Sequence, residues 1–133
     1  MDNTRLALAK YRLEKALSCL QSAQITFDSK LYDNSLNRSY YTIFHSARAM
    51  MALDGADRKK HSGVIAYFQQ NYIKTGIFDK KFSRMISDAF DVRMDSDYED
   101  FFVYSHDDVE KQLGNAKLFY EEMKKYVEEQ LSK

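Results

Sequence analysis

The sequence predicts an all-α protein, an up-and-down antiparallel bundle of about five helices, and three observations carry that prediction. Apolar residues recur at helical spacing along most of the chain. The 133 residues include no proline and only four glycines, which leaves room for few, short connections. The composition is 44% apolar, enough to build a core and too much for an unfolded chain. At this length one domain spanning residues 1–133 is the natural count.

The first helix is expected from about Thr4 to Phe27, with Asn3 or Thr4 as N-cap. Leu6, Leu13, Leu20 and Phe27 recur every seven residues, and Ala9, Ala16 and Ala23 follow three residues after the first three. Alanines along a seam predict a partner helix at close approach. Asp28-Ser29-Lys30 breaks the pattern, and Asp33 is the expected cap of a second helix over about Asn34–Leu53. Gly55 suits the left-handed position after it. Ser62 opens a third helix that stops at Gly76, and Asp79 caps a fourth with Phe82, Met85, Ile86, Ala89 and Phe90 on its buried stripe.

The run from Asp91 to Asp100 is so acidic that it reads as a connector, with Arg93 pairing a nearby carboxylate. Phe101, Phe102, Val103 and Tyr104 are expected to pack back on the bundle. Ser105 then caps the last helix, with Asp107 and Asp108 in its first turn, where the helix dipole favours them. Its buried stripe runs from Val109 to Leu131.

Charge and cysteine content narrow the function classes. Twenty acidic and twenty basic residues cancel, so any nucleic-acid binding must rest on a local patch. Arg58-Lys59-Lys60-His61 is one such patch, a short basic loop that could meet a phosphate or simply be solvated. Cys19 is the sole cysteine, which excludes an internal disulfide and a cysteine-rich zinc site. His45, His61 and His106 are too far apart in sequence for zinc-ligand spacing, and no glycine-rich loop exists to cradle a nucleotide. The acidic run lacks the glycine and terminal glutamate of a calcium loop. No cofactor and no metal are expected. The N-terminal residues lack the pattern of a signal peptide and no apolar run is long enough for a membrane span, so a cytoplasmic protein is the expectation.

The chemistry concentrates in the second helix. Arg38 and His45 are seven residues apart, about 20° short of two turns, so they share a face with Tyr41, Thr42, Ala49 and Ala52. Tyr40, Ile43, Phe44, Ala47, Met50 and Met51 make the opposite, apolar face. A guanidinium beside an imidazole can hold a phosphodiester and exchange a proton near neutral pH, which is the chemistry of a metal-independent endoribonuclease. The competing reading is structural: His45 hydrogen-bonds a neighbouring helix and Arg38 closes an ion pair.

The stretch from Leu31 to Ala49, the segment His61-Ser62-Gly63-Val64 with Phe68, then Lys74-Thr75-Gly76, and finally Arg93 with Asp97-Tyr98 together resemble the HEPN superfamily, in its branch of small stand-alone prokaryotic proteins. The resemblance covers nearly the whole chain in order. It implies an all-α bundle that dimerises, and a role as partner of a minimal nucleotidyltransferase in a toxin–antitoxin-type module. Many such proteins are metal-independent ribonucleases; others are non-catalytic modules that bind nucleotide or RNA. A structural helical dimer is the remaining alternative. The catalytic signature that the resemblance implies, an arginine followed by four to six residues and a histidine, fits Arg38 and His45. In toxins the signature lies in a later helix and ends in histidine and, two residues on, tyrosine. Here that region offers Arg93 and Tyr98, with Asp95 and Asp97 where a histidine is expected. The site expected from the sequence is therefore Arg38 and His45, with Arg93 and Tyr98 in the same cleft. Tyr41, Asp97, Lys59, Lys60 and His61 are expected to contribute to binding. Tyr98 is also a candidate for modification by the transferase.

Overall fold

The alanine seam sets the architecture. In the computed structural model, which describes residues 2–100 and 102–133, α1 spans Asn3–Asp28 and α2 spans Tyr32–Leu53. Three residues join them, with Lys30 at a positive φ of 62°, so the two helices pack as an antiparallel hairpin. Ala9, Ala16 and Ala23 are wholly buried. With so little side chain in the way, the backbones draw close, and the Ser35 hydroxyl on α2 donates to the Ala23 carbonyl on α1 at 2.9 Å.

α3 spans His61–Phe68 and runs on through a π-helical turn, Gln69–Ile73. α4 spans Lys80–Tyr98 and α5 His106–Leu131. α2 is the central helix, in contact with α1, α3, α4 and α5. Its core side is aromatic and flexible: Tyr40, Ile43, Met50 and Met51 are all buried, and Phe68 of α3 stacks among Tyr72, Phe78 and Phe119. Fully burying side chains of this size contributes about 1.5–3 kcal/mol each. The all-α reading and the five helices agree with the sequence. No described helix is long and apolar enough to cross a membrane.

Several boundaries differ from the sequence reading, each for a local reason. Asp2, not Asn3 or Thr4, caps α1, its carboxylate accepting from the Thr4 N–H at 2.7 Å. Asp33 lies in the first turn of α2, where it meets the positive end of the dipole, while Leu31 occupies the N-cap position. α3 begins at His61, so that residue is helical and not part of the basic loop. The same helix gives way to the π turn before Gly76. The acidic run is helical as far as Tyr98, because Arg93 and Asp97 stand one turn apart and pair at 3.1 Å. On α2 the face expected to be polar is mixed, since Thr42, Ala49 and Ala52 are buried. Phe101 lies outside the described residues; beyond it Val103 is exposed, and Phe102 packs on Tyr104 rather than into the core.

The caps at Asp79 and Ser105 match the sequence, and Ser105 with Asp108 forms a reciprocal capping box. Replacing Ser105 by alanine is expected to lower stability by about 1 kcal/mol, read as a lower thermal midpoint without loss of helix content at about 20 °C. Gly55 takes a φ of +70° beyond the end of α2, and the Arg5 guanidinium lies where a side chain at residue 55 would project.

Candidate functional site

Tyr41 is the hub on which the polar residues converge. Its ring is half-buried on α2, and besides Tyr40 and Phe44 four basic side chains surround it. The Arg38 guanidinium, one turn earlier, lies 5.6 Å from the ring centre, and that of Arg93, from α4, lies 5.3 Å from it. The His45 ring is centred 5.8 Å away and the His61 ring, from α3, also 5.8 Å. Three helices thus deliver two guanidiniums and two imidazoles to one aromatic ring.

The two arginines are held differently. Arg38 donates through Nε and Nη2 to the Asn37 side-chain oxygen, at 3.1 and 2.6 Å, which fixes its orientation without neutralising it. Among the described residues no carboxylate pairs with it. Arg93 pairs with Asp97 and lies over Tyr40 at 5.3 Å as well as Tyr41. Arg38 and two carboxylates, Asp33 and Asp97, line an open polar depression of about 510 Å³, with Ser22 and Thr26 from α1 and Asn34 and Asn37 from α2. An oriented, unneutralised guanidinium at the edge of a polar depression suits a phosphate oxygen.

His45 sits in a basic neighbourhood. Burial first, then the positive charges of Lys15, Arg48, Arg38 and Arg12, push its pKa down to about 4. Its Nδ1 is buried with no hydrogen-bond partner among the described residues. Beside it, buried Arg12 donates to the Arg48 carbonyl at 2.8 Å, and Asp57 is the carboxylate to which both arginines reach, at 3.6 Å from Arg12 and 3.1 Å from Arg48. The imidazole is consequently neutral near pH 7.

That shift has a consequence for stability. The unfolded ring titrates near its ordinary 6.5, so below that pH the unfolded chain takes up a proton that the folded ring refuses until about 4. The contribution is intact above pH 6.5 and is lost as pH falls from 6.5 towards 4. Urea midpoints should therefore drop across this window in the wild type, and His45→Gln should flatten the drop. Parallel slopes in the two proteins would show that His45 does not titrate this way.

The remaining predicted residues divide. Asp97 and His61 join the hub; Lys59 and Lys60 are exposed and make no ion pair among the described residues. Tyr98 is 70% exposed and stands outside the ring cluster. The sequence reading missed Tyr40 as a polar member: its hydroxyl lies 2.6 Å from His61 Nδ1. The two residues are far apart in the chain, and no periodic signal marks their contact. Among the described residues no three metal-ligating side chains cluster.

The model of the HEPN domain family matches residues 9–126. Two proteins of Methanocaldococcus jannaschii named putative toxins are similar to the chain. One is 32% identical over 88% of this chain and 87% of its own length, the other 30% identical over 86% and 78%. A UPF0332 protein of Archaeoglobus fulgidus is 34% identical over 87% of this chain and 92% of its own length.

Proposed function

The chain belongs to the HEPN family, and from that premise we propose that it is the toxin-like half of a two-component module, binding an RNA phosphate at the Tyr41 face and cleaving the strand without a metal. The observation that carries this reading is the convergence of Arg38 and Arg93 on one ring beside an open polar depression. Two guanidiniums on one phosphate would stabilise the charge that builds as a 2′-hydroxyl attacks the adjacent phosphorus. The new bond is O2′–P, the broken bond P–O5′, and the products are a 2′,3′-cyclic phosphate and a 5′-hydroxyl. His45, neutral near pH 7, is the acceptor of the 2′-hydroxyl proton in this scheme, and a proton from solvent water completes the 5′-hydroxyl on the departing oxygen. The nucleotidyltransferase partner and a homodimer that places two such faces in one assembly belong to the same proposal.

Incubating RNA with the protein in excess chelator tests it. The wild type should yield 2′,3′-cyclic ends, and an Arg38→Ala, His45→Ala double variant should not. Equal cleavage by both proteins would remove Arg38 and His45 from the reaction.

A second reading has its own support. A base whose pKa lies near 4 captures a proton poorly at pH 7, which favours a non-catalytic module that binds RNA or nucleotide and docks on the transferase. Under that reading the wild type binds RNA, leaves it intact and co-purifies with a nucleotidyltransferase encoded beside it.

A further inference from the structure

His61 has no part in the cleavage scheme, yet it is the better-held of the two imidazoles at the hub. It opens α3, and its ring lies against Phe44, centres 4.3 Å apart at 23°. Its Nδ1 is 2.6 Å from the Tyr40 hydroxyl, and the two rings are nearly parallel at 14°. His45, by contrast, has an orphaned Nδ1. Of the two imidazoles, only His61 has its ring orientation set by a hydrogen bond to Nδ1.

The burial of Tyr40 assigns the direction of this hydrogen bond, and with it the nitrogen that carries the proton. Tyr40 is 1% exposed, and its hydroxyl has no other hydrogen-bond partner among the described residues. To satisfy the buried O–H, Tyr40 must donate to Nδ1. A neutral ring whose Nδ1 accepts carries its hydrogen on Nε2. That second nitrogen has no protein partner among the described residues and is not among the fully buried polar atoms, so its N–H reaches solvent. The Arg93 guanidinium lies on the same two rings, 5.3 Å from the centres of both Tyr40 and Tyr41.

We propose that His61 is a neutral hydrogen-bond donor to phosphate: Nε2–H, oriented by the Tyr40 hydroxyl, and the Arg93 guanidinium donate to oxygens of one phosphate group of a nucleotide or RNA strand. The proposal rests on the Tyr41 face being a phosphate site and names the third donor of that site. The ring's surroundings favour this neutral form. Burial, then the charges of Arg93 and Arg48, hold its pKa below the ordinary value, so a second cation does not form beside Arg93 until an anion arrives. Tyr40 is the positioning residue, because it touches His61 and not the ligand. The exposed Lys59 and Lys60, adjacent in sequence, have no such support and contribute at most long-range charge.

Nitrogen-15 NMR of the imidazole rings in the full chain tests this, with uridine 3′-monophosphate as the probe. In the free protein, near pH 7, His61 should show a protonated Nε2 and an unprotonated Nδ1. Adding the nucleotide should shift Nε2 and raise the His61 pKa. Tyr40→Phe should scramble the tautomer and weaken nucleotide binding several-fold while circular dichroism is unchanged. His61→Ala should weaken binding by roughly tenfold or more. His61→Gln, whose amide can replace the Nε2–H, should recover part of that loss. If the nucleotide binds and Arg93→Ala weakens it, but the His61 signals stay still, the proposal is wrong and the phosphate site stands. Binding by His61→Ala as tight as that of the wild type would overturn the proposal in the same way. If neither the nucleotide nor RNA binds the wild type, the phosphate site itself falls, and this assignment falls with it.

Discussion

Replacing Arg38 and Arg93 together by alanine is expected to weaken RNA binding by about a hundredfold, the product of two charged hydrogen-bonding groups at roughly 1.5 kcal/mol or more each. Arg38 is half-buried and the Arg93 side chain is largely buried, at 17% exposed, but neither belongs to the hydrophobic core. The double variant should therefore keep its helix content. Its residual binding should also depend less on salt, with a log–log slope shallower by about two, because two phosphate contacts are gone. Fluorescence anisotropy with a short single-stranded RNA over a range of salt concentrations reads both effects. The single variants separate the arginines. Arg38 is oriented by neutral Asn37, whereas Arg93 shares its charge with Asp97, so loss of Arg38 should cost more. Asp97→Asn should strengthen binding slightly by freeing Arg93 and removing a negative charge from the depression. Unchanged affinity in the double variant would move RNA binding to another face.

The largest stability effect is expected at Phe68. Its side chain is fully buried where α3 passes into the π turn, and it packs on Tyr72, Phe78 and Phe119. Phe68→Ala leaves a cavity that rigid aromatic neighbours cannot fill, at a cost of about 3–5 kcal/mol. That is a large part of the stability of a domain this size. A steep fall in the denaturant midpoint should result, and near body temperature the variant should be partly unfolded. The loss should spread beyond the core. Tyr72, held by hydroxyl contacts to the Met50 carbonyl at 3.0 Å and the Asp54 carboxylate at 2.9 Å, ties α3 to the end of α2. Tyr67 reaches the same carboxylate at 2.7 Å. Loosening α3 should therefore also displace His61 from the hub, and RNA affinity should fall along with stability. A change under about 1 kcal/mol would mean that the site collapses around the smaller side chain.

The bundle is legible in the sequence because its strongest signals are local and periodic. The alanines at 9, 16 and 23 indicate a tight helix pair, and Ser105 with Asp108 marks a helix start that needs no tertiary partner. Arg38 and His45 can be placed on one face by arithmetic alone, and Tyr41 does bring them to one ring. The failures come from contacts between distant segments and from charge read as a break in structure. Asp91–Asp100 looks too acidic for a helix, yet Arg93 and Asp97 at four-residue spacing are the helical signal within it. Adjacency groups His61 with Lys59 and Lys60, while its partners, Tyr40 and Phe44, lie on another helix. Nor does the sequence show that burial, reinforced by three further basic residues, Lys15, Arg48 and Arg12, holds His45 neutral.

The central claim is that the Tyr41 face receives an RNA phosphate, and the most direct measurement observes its two guanidiniums. NMR signals of the arginine Nε–H groups, assigned by single substitution, should be followed as a short single-stranded RNA is added. The Arg38 and Arg93 signals should shift together and saturate at one stoichiometry, while those of Arg58 and Arg84, outside the hub, should stay in place. Shifts confined to Arg58 or Arg84, or none at Arg38 and Arg93 once the RNA is bound, would contradict that claim.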